Sequence, residues 1–169
     1  MTIDLFISCV MDQFYPDTAK NVVKVLNAAD VDVEYNIGIS KDFNIFELQK
    51  AIGSKDFIKA NQIINYFGDN PNENPIFMTI VVLYGYYTKL LKLHFSKDKN
   101  RNTLATMLGV NPYFINDYLE ASRNYSWVDC MHCIEVLREF DMKSKGYNSS
   151  SDVTQKELYK EMLYKLMMK

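Results

Sequence analysis

The stretch of residues 102–146 constrains the fold most, because it carries the signals of three consecutive helices separated by short turns. Asparagine and serine are good N-caps, proline is tolerated at the first helical position, and glycine favours the left-handed conformation that ends a helix. Apolar residues recur between these signals at helical spacing. The predicted starts and ends are Asn102 and Gly109 for the first helix, Asn111-Pro112 for the second, and Ser126 and Gly146 for the third.

Four further amphipathic or apolar segments predict helices on either side of this stretch. They span residues 43–52, 54–67 and 78–95, and the last begins at Thr154, where Thr154 and Glu157 form a capping box. Ser54 is the predicted N-cap of the second, and the segment 78–95 is nearly apolar all round, which predicts a position at the centre of a bundle. The sequence therefore predicts a mainly α fold, a bundle of about seven helices.

The amino-terminal part differs from this pattern. Residues 3–10 are rich in β-branched and aromatic residues, Asp17 begins a helical pattern, and residues 31–35 alternate as a half-buried strand does. Strand, helix and strand predict one small parallel βαβ appendage. A two-stranded sheet is not stable alone in water, so these strands are expected to pack on the helices or to pair with a second copy, giving a homodimer.

Several ordered matches along the helical part carry a resemblance to a known family. They are Leu104-Ala105, Leu108-Gly109-Val110, Pro112-Tyr113-Phe114 and residues 137–146, with upstream matches at residues 36–42 and 46–48. Together they resemble the C-terminal helical domain of the bacterial DNA polymerase III delta subunit, a component of the sliding-clamp loader. The resemblance implies a collar-type helical bundle that associates with the delta-prime and ATPase subunits, contacts DNA only indirectly through the complex, and is not itself an ATPase.

Residues 4–36 resemble another family, the cysteine-rich domain of lactate-utilisation proteins and anaerobic glycerol-3-phosphate dehydrogenase subunits. Cys9 falls where that family has an early cysteine, which implies an iron–sulfur or thiol redox role as one alternative. The Cys-Cys-Gly element of that family does not follow. We therefore interpret the seam near Asn36 as a fusion, with residues 1–36 as the appendage and residues 37–169 as the helical domain, before which the delta family has clamp-binding and ATPase-like domains.

Composition excludes several classes of protein. The net charge of −2 gives no general attraction to nucleic acid or anionic lipid, and 48% hydrophobic residues argue against disorder. No uninterrupted apolar run approaches the roughly 20 residues of a membrane span, and no signal-peptide pattern is present. Three cysteines, an odd number, argue against a disulfide framework. We expect a cytoplasmic protein that does not associate with a membrane.

Cys130-Met131-His132-Cys133 is the most tempting chemical motif. A Cys-x-x-Cys pair binds zinc or exchanges disulfides in other proteins, but a structural zinc site needs four ligands and the only other histidine is His94. The pair also lies within an amphipathic helix, on the side of Ile134. We therefore expect ordinary core cysteines, no metal and no cofactor.

Residues 103–118 also fit a helix-turn-helix, so a small DNA-binding regulator is the main alternative. A recognition helix is usually basic and presents Arg, Lys, Asn or Gln outward. Residues 112–124 carry Asp117, Glu120 and Arg123, which is slightly acidic. A tight corner between two helices explains the same pattern.

No nucleophile with a paired base and no glycine-rich phosphate loop occurs in the sequence, so we expect a protein that is not an enzyme. The candidate partner-contact residues, taken from the resemblance, are Tyr113, Arg138, Asp141, Lys143 and Lys145. The candidate nucleic-acid contacts are Lys97, Lys99 and Arg101, although cations near a helix C-terminus are also stabilised by the helix dipole.

Overall fold

The structure is a computed structural model in which the chain divides into two compact units, Met1–Asn44 and Ile45–Lys169. Each unit is described by itself. The residues described are 2–7, 32–37, 43–98, 100–147 and 153–168, with the backbone alone in the first two ranges.

The first unit contains two parallel strands. Strand β1 is Thr2–Ile7 and strand β2 is Asp32–Ile37, paired in register from their first residues to their last. Parallel strands need a crossover of about a dozen residues or more, which residues 8–31 are long enough to supply. The helix predicted from Asp17 lies outside the described residues, so the βαβ appendage stays a prediction, as does the seam near Asn36.

The second unit is built from helices. Its seven described α-helices are α1 Ile45–Gly53, α2 Phe57–Asp69, α3 Ile76–Phe95, α4 Arg101–Leu108, α5 Ile115–Asn124, α6 Trp127–Ser144 and α7 Gln155–Met167, with a single 3-10 turn at Pro112–Phe114. The prediction of a mainly α fold with about seven helices is confirmed.

Three predicted helix boundaries are present with their expected chemistry. Gly109 ends α4 in the left-handed conformation, with φ of 62°. Ser126 caps α6 and forms a capping box with Asp129, and Thr154 forms the predicted box with Glu157 at the start of α7. Each box satisfies backbone N–H groups that have no partner within the helix.

Two predicted caps are wrong, each by two residues. Asn100, not Asn102, caps α4, because its side chain accepts hydrogen bonds from two backbone N–H groups of the first turn. Asp56, not Ser54, caps α2 in the same way. The Ser54 hydroxyl instead donates to the Lys50 carbonyl at the end of α1. In both places the chain offers two capping residues in close succession, and local sequence does not decide between them.

Helix α3 is the centre of the bundle. It packs most extensively against α6 and also contacts α1, α4 and α5, while α7 packs on α2 and α6. Inside the core, the Thr79 and Tyr159 hydroxyls lie 2.7 Å apart and link α3 to α7. The largest fully buried side chains include Tyr87, Phe67 and Phe140. Burying each such side chain contributes roughly 1.5–3 kcal/mol, so these helices are held mainly by core packing.

Tyr125, in the turn between α5 and α6, joins the ends of several helices. Its hydroxyl lies 3.2 and 3.3 Å from the carbonyl oxygens of Ile52 and Leu166, at the ends of α1 and α7, and its one proton is shared between these two acceptors. Its own carbonyl lies 2.8 Å from Nε2 of His94 near the end of α3. Burial raises the pKa of the Tyr125 hydroxyl, so it stays protonated and able to donate.

Among the described residues, one helix is long and apolar enough to cross a membrane by length and composition alone. It is α3, whose most apolar window is 44% buried within the bundle. Core helices of soluble proteins meet the same two criteria, so this observation is weak support for a membrane span.

Candidate protein-interaction surface

The predicted contact residues at the C-terminal end of α6 differ in their exposure and in the ion pairs that they form. Arg138 is exposed. Nζ of Lys145, the residue that follows α6, lies 2.6 Å from Oδ2 of Asp141 in the last turn of that helix. An exposed pair of this kind contributes at most about 1 kcal/mol to stability, so Asp141 and Lys145 can exchange partners at little cost.

Lys143 belongs instead to an ion-pair network that holds α6 against α7. Its Nζ lies 2.9 Å from Glu139 Oε1 and 2.8 Å from Glu161 Oε1. Lys165 of α7 contacts the same two carboxylates, at 2.8 and 3.2 Å. Hydrogen bonds from Lys165 and Lys143 hold the pKa of Glu139 below its usual value, and those to Glu161 and Glu139 raise the pKa of Lys143. Lys143 therefore has a structural role within the domain.

Tyr113 lies in the 3-10 turn at the corner between α4 and α5. The Asn111 side chain accepts a hydrogen bond from its backbone N–H, so the predicted Asn-Pro start is present but begins with a 3-10 turn rather than with α5 itself. The Tyr113 side chain is 78% exposed, and its ring meets the Phe114 ring edge to face at 5.2 Å between centroids. An exposed aromatic on a fixed turn is suited to a protein contact.

The candidate nucleic-acid contacts lie where α3 leads into α4. Lys97 and Arg101 are exposed, and Nε of Arg101 donates to the Pro112 carbonyl at 3.1 Å. Lys99 lies outside the described residues. Further back on α3, burial and the nearby charge of Lys92 lower the pKa of Lys89. The exposed cations form a loose group around the end of α3.

The largest unexpected feature is a set of exposed apolar side chains on the outer side of α3 and the start of α6, which we call the apolar face. Between 51% and 71% of each side chain is exposed. The ring of Phe95, at the end of α3, lies 6.3 Å from the ring of Trp127, at the start of α6. The members of the apolar face are Phe77, Val81, Tyr84, Phe95, Trp127 and Met131.

Helix α3 is nearly apolar all round in sequence, and in the structure only one side of it is covered by the bundle. Ile80, Leu83 and Leu90 are buried, whereas Val81 and Tyr84 on the opposite side are not. Residue spacing alone does not distinguish a helix surrounded by its own bundle from one that is half covered. The sequence does contain one signal for a second apolar side. Phe77, Tyr84 and Phe95 are spaced near whole helical turns, so they share a side of α3 that differs from the side of the buried residues.

The family model of the DNA polymerase III delta subunit, C-terminal domain, matches the chain over residues 42–164. The chain belongs to this family. The match covers α1 to α6 completely and continues into α7, so it accounts for the helical unit. No curated protein and no solved structure shows significant similarity to the chain.

Membership in the delta-subunit family assigns the chain to DNA replication and agrees with a role in the clamp loader. The match begins at residue 42 and therefore does not include residues 4–36. The resemblance of that segment to a cysteine-rich domain stays a prediction, and Cys9 lies outside the described residues.

Within the delta-subunit domain, α4, the 3-10 turn and α5 form the corner that sequence also relates to a helix-turn-helix. Arg123 and Glu120 are exposed on α5, and Asp117 pairs with Lys50 of α1 at 3.7 Å. The positive charge of Arg123 is offset by the negative charge of Glu120, so the exposed side of α5 is not basic. This electrostatic character does not favour DNA binding by α5.

The cysteines of the delta-subunit domain are core residues. Cys130 and Cys133 are buried in α6, and the Cys133 thiol lies 3.7 Å from the Leu166 carbonyl. Burial, with the nearby Cys133 and Asp129, raises the pKa of Cys130 to about 12, so its reactive thiolate is scarce near neutral pH. No group of three or more His, Cys, Asp or Glu side chains suited to a metal occurs among the described residues.

Proposed function

We propose that residues 37–169 are the collar domain of a clamp-loader delta subunit, a non-catalytic module that holds the delta-prime and ATPase subunits in a ring. The observation that carries this proposal is the family match over residues 42–164, which covers six of the described helices and most of α7. We further propose that the protein acts in the cytoplasm and meets DNA only through the assembled complex.

The distribution of rigid and free side chains supports a binding role. Inside the core, burial raises the pKa of Tyr118 and Tyr159 to about 12 each, so both hydroxyls stay protonated near neutral pH. The outside of the bundle instead carries exposed aromatic and charged groups. Tyr113, Arg138, Asp141 and Lys145 remain candidate contacts, whereas Lys143 has partners within the domain. Lys97, Lys99 and Arg101 are candidates for contact with DNA inside the complex.

The test is an assembly experiment with the whole chain. Size-exclusion chromatography with light scattering is run on the chain alone, and then with the delta-prime and ATPase subunits from the same source. We expect a mixed complex that survives moderate salt, because an interface built on apolar contacts is weakly screened. A chain that stays apart from these subunits contradicts the proposal, and elution with duplex DNA instead supports a regulator.

A further inference from the structure

We propose that the apolar face of α3 and α6 is the docking surface for a neighbouring protein subunit whose own surface is apolar and edged by carboxylates. This inference rests on the proposed function and names the surface that performs it. Its apolar members lie on α3 and the first two turns of α6, whereas Tyr113 lies in the 3-10 turn before α5.

The first argument is the regularity of the pattern. Phe77, Tyr84 and Phe95 are separated by 7 and 11 residues, close to two and three full turns, so they lie in one row along α3. Val81 lies between them on the same side, and all four are exposed. A helix with one apolar side in the core and a second apolar side outside it is typical of a helix with a second partner.

The second argument is that α6 continues the row. The Phe95 ring and the Trp127 ring are in contact, and the end of α3 therefore meets the beginning of α6. Met131 lies one turn further along α6 and is 54% exposed, as Trp127 is at 53%. Helices α3 and α6 are the most extensively packed pair in the helical unit, so their exposed side chains keep fixed positions relative to one another.

The third argument is area. A large aromatic side chain contributes about 150–250 Å², so the four aromatic members, each more than half exposed, present roughly 450 Å². Val81 and Met131 bring the total to roughly 600 Å². That value is at the upper end of the largest apolar patch on a typical monomer, about 300–600 Å². It also approaches the roughly 800 Å² that each partner buries in a standard interface.

The fourth argument is charge, which defines the partner. Helix α3 contains no acidic residue; Lys92 is exposed on it and Lys89 is half-buried. Lys97 and Arg101 are exposed beyond its end, on either side of the exposed Asp98, and Arg138 is exposed on α6. Within the described part of the chain, none of these five cations takes part in an ion pair. Glu135 is the exposed carboxylate on this side of α6. A partner with carboxylates around an apolar centre complements this basic rim.

A protein partner fits the composition better than DNA or lipid does. Phe, Tyr, Trp and Met are the residues enriched at the centres of protein interfaces, with charges displaced to the rim. Duplex DNA presents phosphates to a surface and would leave these apolar side chains without apolar neighbours. A cationic rim around apolar residues also suits an anionic membrane, so lipid vesicles belong in the test.

The test compares matched variants of the full chain in the assembly with the delta-prime and ATPase subunits. Val81→Glu with Met131→Glu places two charges in the apolar face, and Ile58→Glu is the control, since Ile58 is 75% exposed on α2 away from this face. We expect the double variant to bind these subunits roughly tenfold or more weakly, and the control to bind as the unchanged chain does. Circular dichroism and thermal unfolding verify that all three proteins are folded.

Trp127 supplies an independent measurement, because it is the only tryptophan in the chain. Incorporation of 5-fluorotryptophan into this chain alone gives one fluorine NMR signal. We expect that signal to shift when the subunits are added, and not to shift with the double variant.

The outcomes separate this inference from the proposed function. If the unchanged chain and the double variant bind the subunits equally well, the inference is overturned and the collar role stands. If the unchanged chain binds no subunit, both fail. Self-association in sedimentation that the double variant abolishes, or binding to phosphatidylcholine–phosphatidylglycerol vesicles or duplex DNA instead of the subunits, also overturns the inference.

Discussion

Nζ of Lys55 lies 3.8 Å from the centroid of the Tyr125 ring, and the two residues connect the α1–α2 turn to the α5–α6 turn. Nζ of Lys55 also donates to the Met167 carbonyl at the end of α7, at 3.2 Å. Lys55 is the one non-glycine residue with positive φ in the described part of the chain, at 61°. A strained backbone is thus held by a cation over an aromatic ring and by a hydrogen bond to a helix end.

This arrangement predicts an unusual order of stabilities at position 55. Lys55→Ala removes the cation and keeps the strain, and we expect it to lower the free energy of unfolding by about 1 kcal/mol. Lys55→Gly removes the cation and also the strain, so we expect it to be more stable than the alanine variant by about 1 kcal/mol. Urea unfolding followed by circular dichroism measures both. A glycine variant no more stable than the alanine variant would show that the strain is negligible.

The ion-pair network between α6 and α7 predicts how stability depends on pH. Hydrogen bonds from the lysines lower the pKa of Glu139 and of Glu161 in the folded state. Below about 4.3, the usual pKa of a free glutamate, the unfolded chain binds more protons than the folded one. The contribution of the network is therefore present above that pH and is lost as the pH falls through the lowered pKa values.

Glu139→Gln tests this contribution. Because Glu139 is partly exposed and screened by solvent, we expect a loss of about 1 kcal/mol at pH 7 and a smaller difference from the unchanged protein at pH 3. Asp69→Asn is the control, since Asp69 forms an isolated exposed pair with Lys156 at 2.6 Å. Urea titrations at both pH values give the comparison. If Glu139→Gln lowers the free energy of unfolding equally at both pH values, the ion-pair network is not the source of the pH dependence.

Gly53 illustrates a packing constraint. A Cβ atom added at Gly53 would collide with the Tyr86 hydroxyl and lie 3.2 Å from the Ala121 Cβ, at the meeting point of α1, α3 and α5. We expect Gly53→Ala to lower the free energy of unfolding by about 1–3 kcal/mol, as overpacking does. Tyr86→Phe in the same chain removes the colliding oxygen and should recover part of that loss.

Gly85→Ala is the matched control for this prediction. Nothing lies within 4 Å of a Cβ added at Gly85, which is also in a helix. The better helix propensity of alanine should therefore stabilise this variant by roughly 0.5–1 kcal/mol. Thermal unfolding measures whether Gly53→Ala lowers and Gly85→Ala raises the stability of the protein. Equal effects at both glycines would mean that the contact with Tyr86 is relieved at no cost.

The positions of the helices can be predicted from the sequence better than the neighbours that each helix packs against. The boundaries at Gly109, Ser126 and Thr154 depend on chemistry within a few residues, and the prediction there is confirmed. The caps at Asn100 and Asp56 are missed because neighbouring residues compete for the same role.

The candidate surface depends on tertiary contacts and is therefore harder to predict. Lys143 pairs with Glu139 one turn earlier, which its spacing in sequence allows, but also with Glu161 of α7, which lies far from it in the chain. The outer side of α3 is as apolar in sequence as its inner side. Only the packing of α6 against α3 shows that Tyr84 stays outside while Leu83 is buried.

The buried cysteines give the last prediction, which separates core packing from redox chemistry. Cys130 and Cys133 are buried, and burial raises the pKa of Cys130 to about 12. We therefore expect neither thiol to react with Ellman's reagent in the folded chain at pH 8, and both to react in urea. A Cys9→Ser background removes the third cysteine, so the count refers to this pair alone.

Replacement of the pair supplies the second half of that experiment. Cys130→Ala leaves a small cavity in the core of the bundle beside α6, and we expect the free energy of unfolding to fall by about 1 kcal/mol. We expect subunit binding to be unchanged. A redox or metal role predicts the reverse, a rapid reaction in the folded state and an effect of reductant or chelator on stability. Rapid labelling of either thiol before unfolding would therefore refute the assignment of Cys130 and Cys133 to the core.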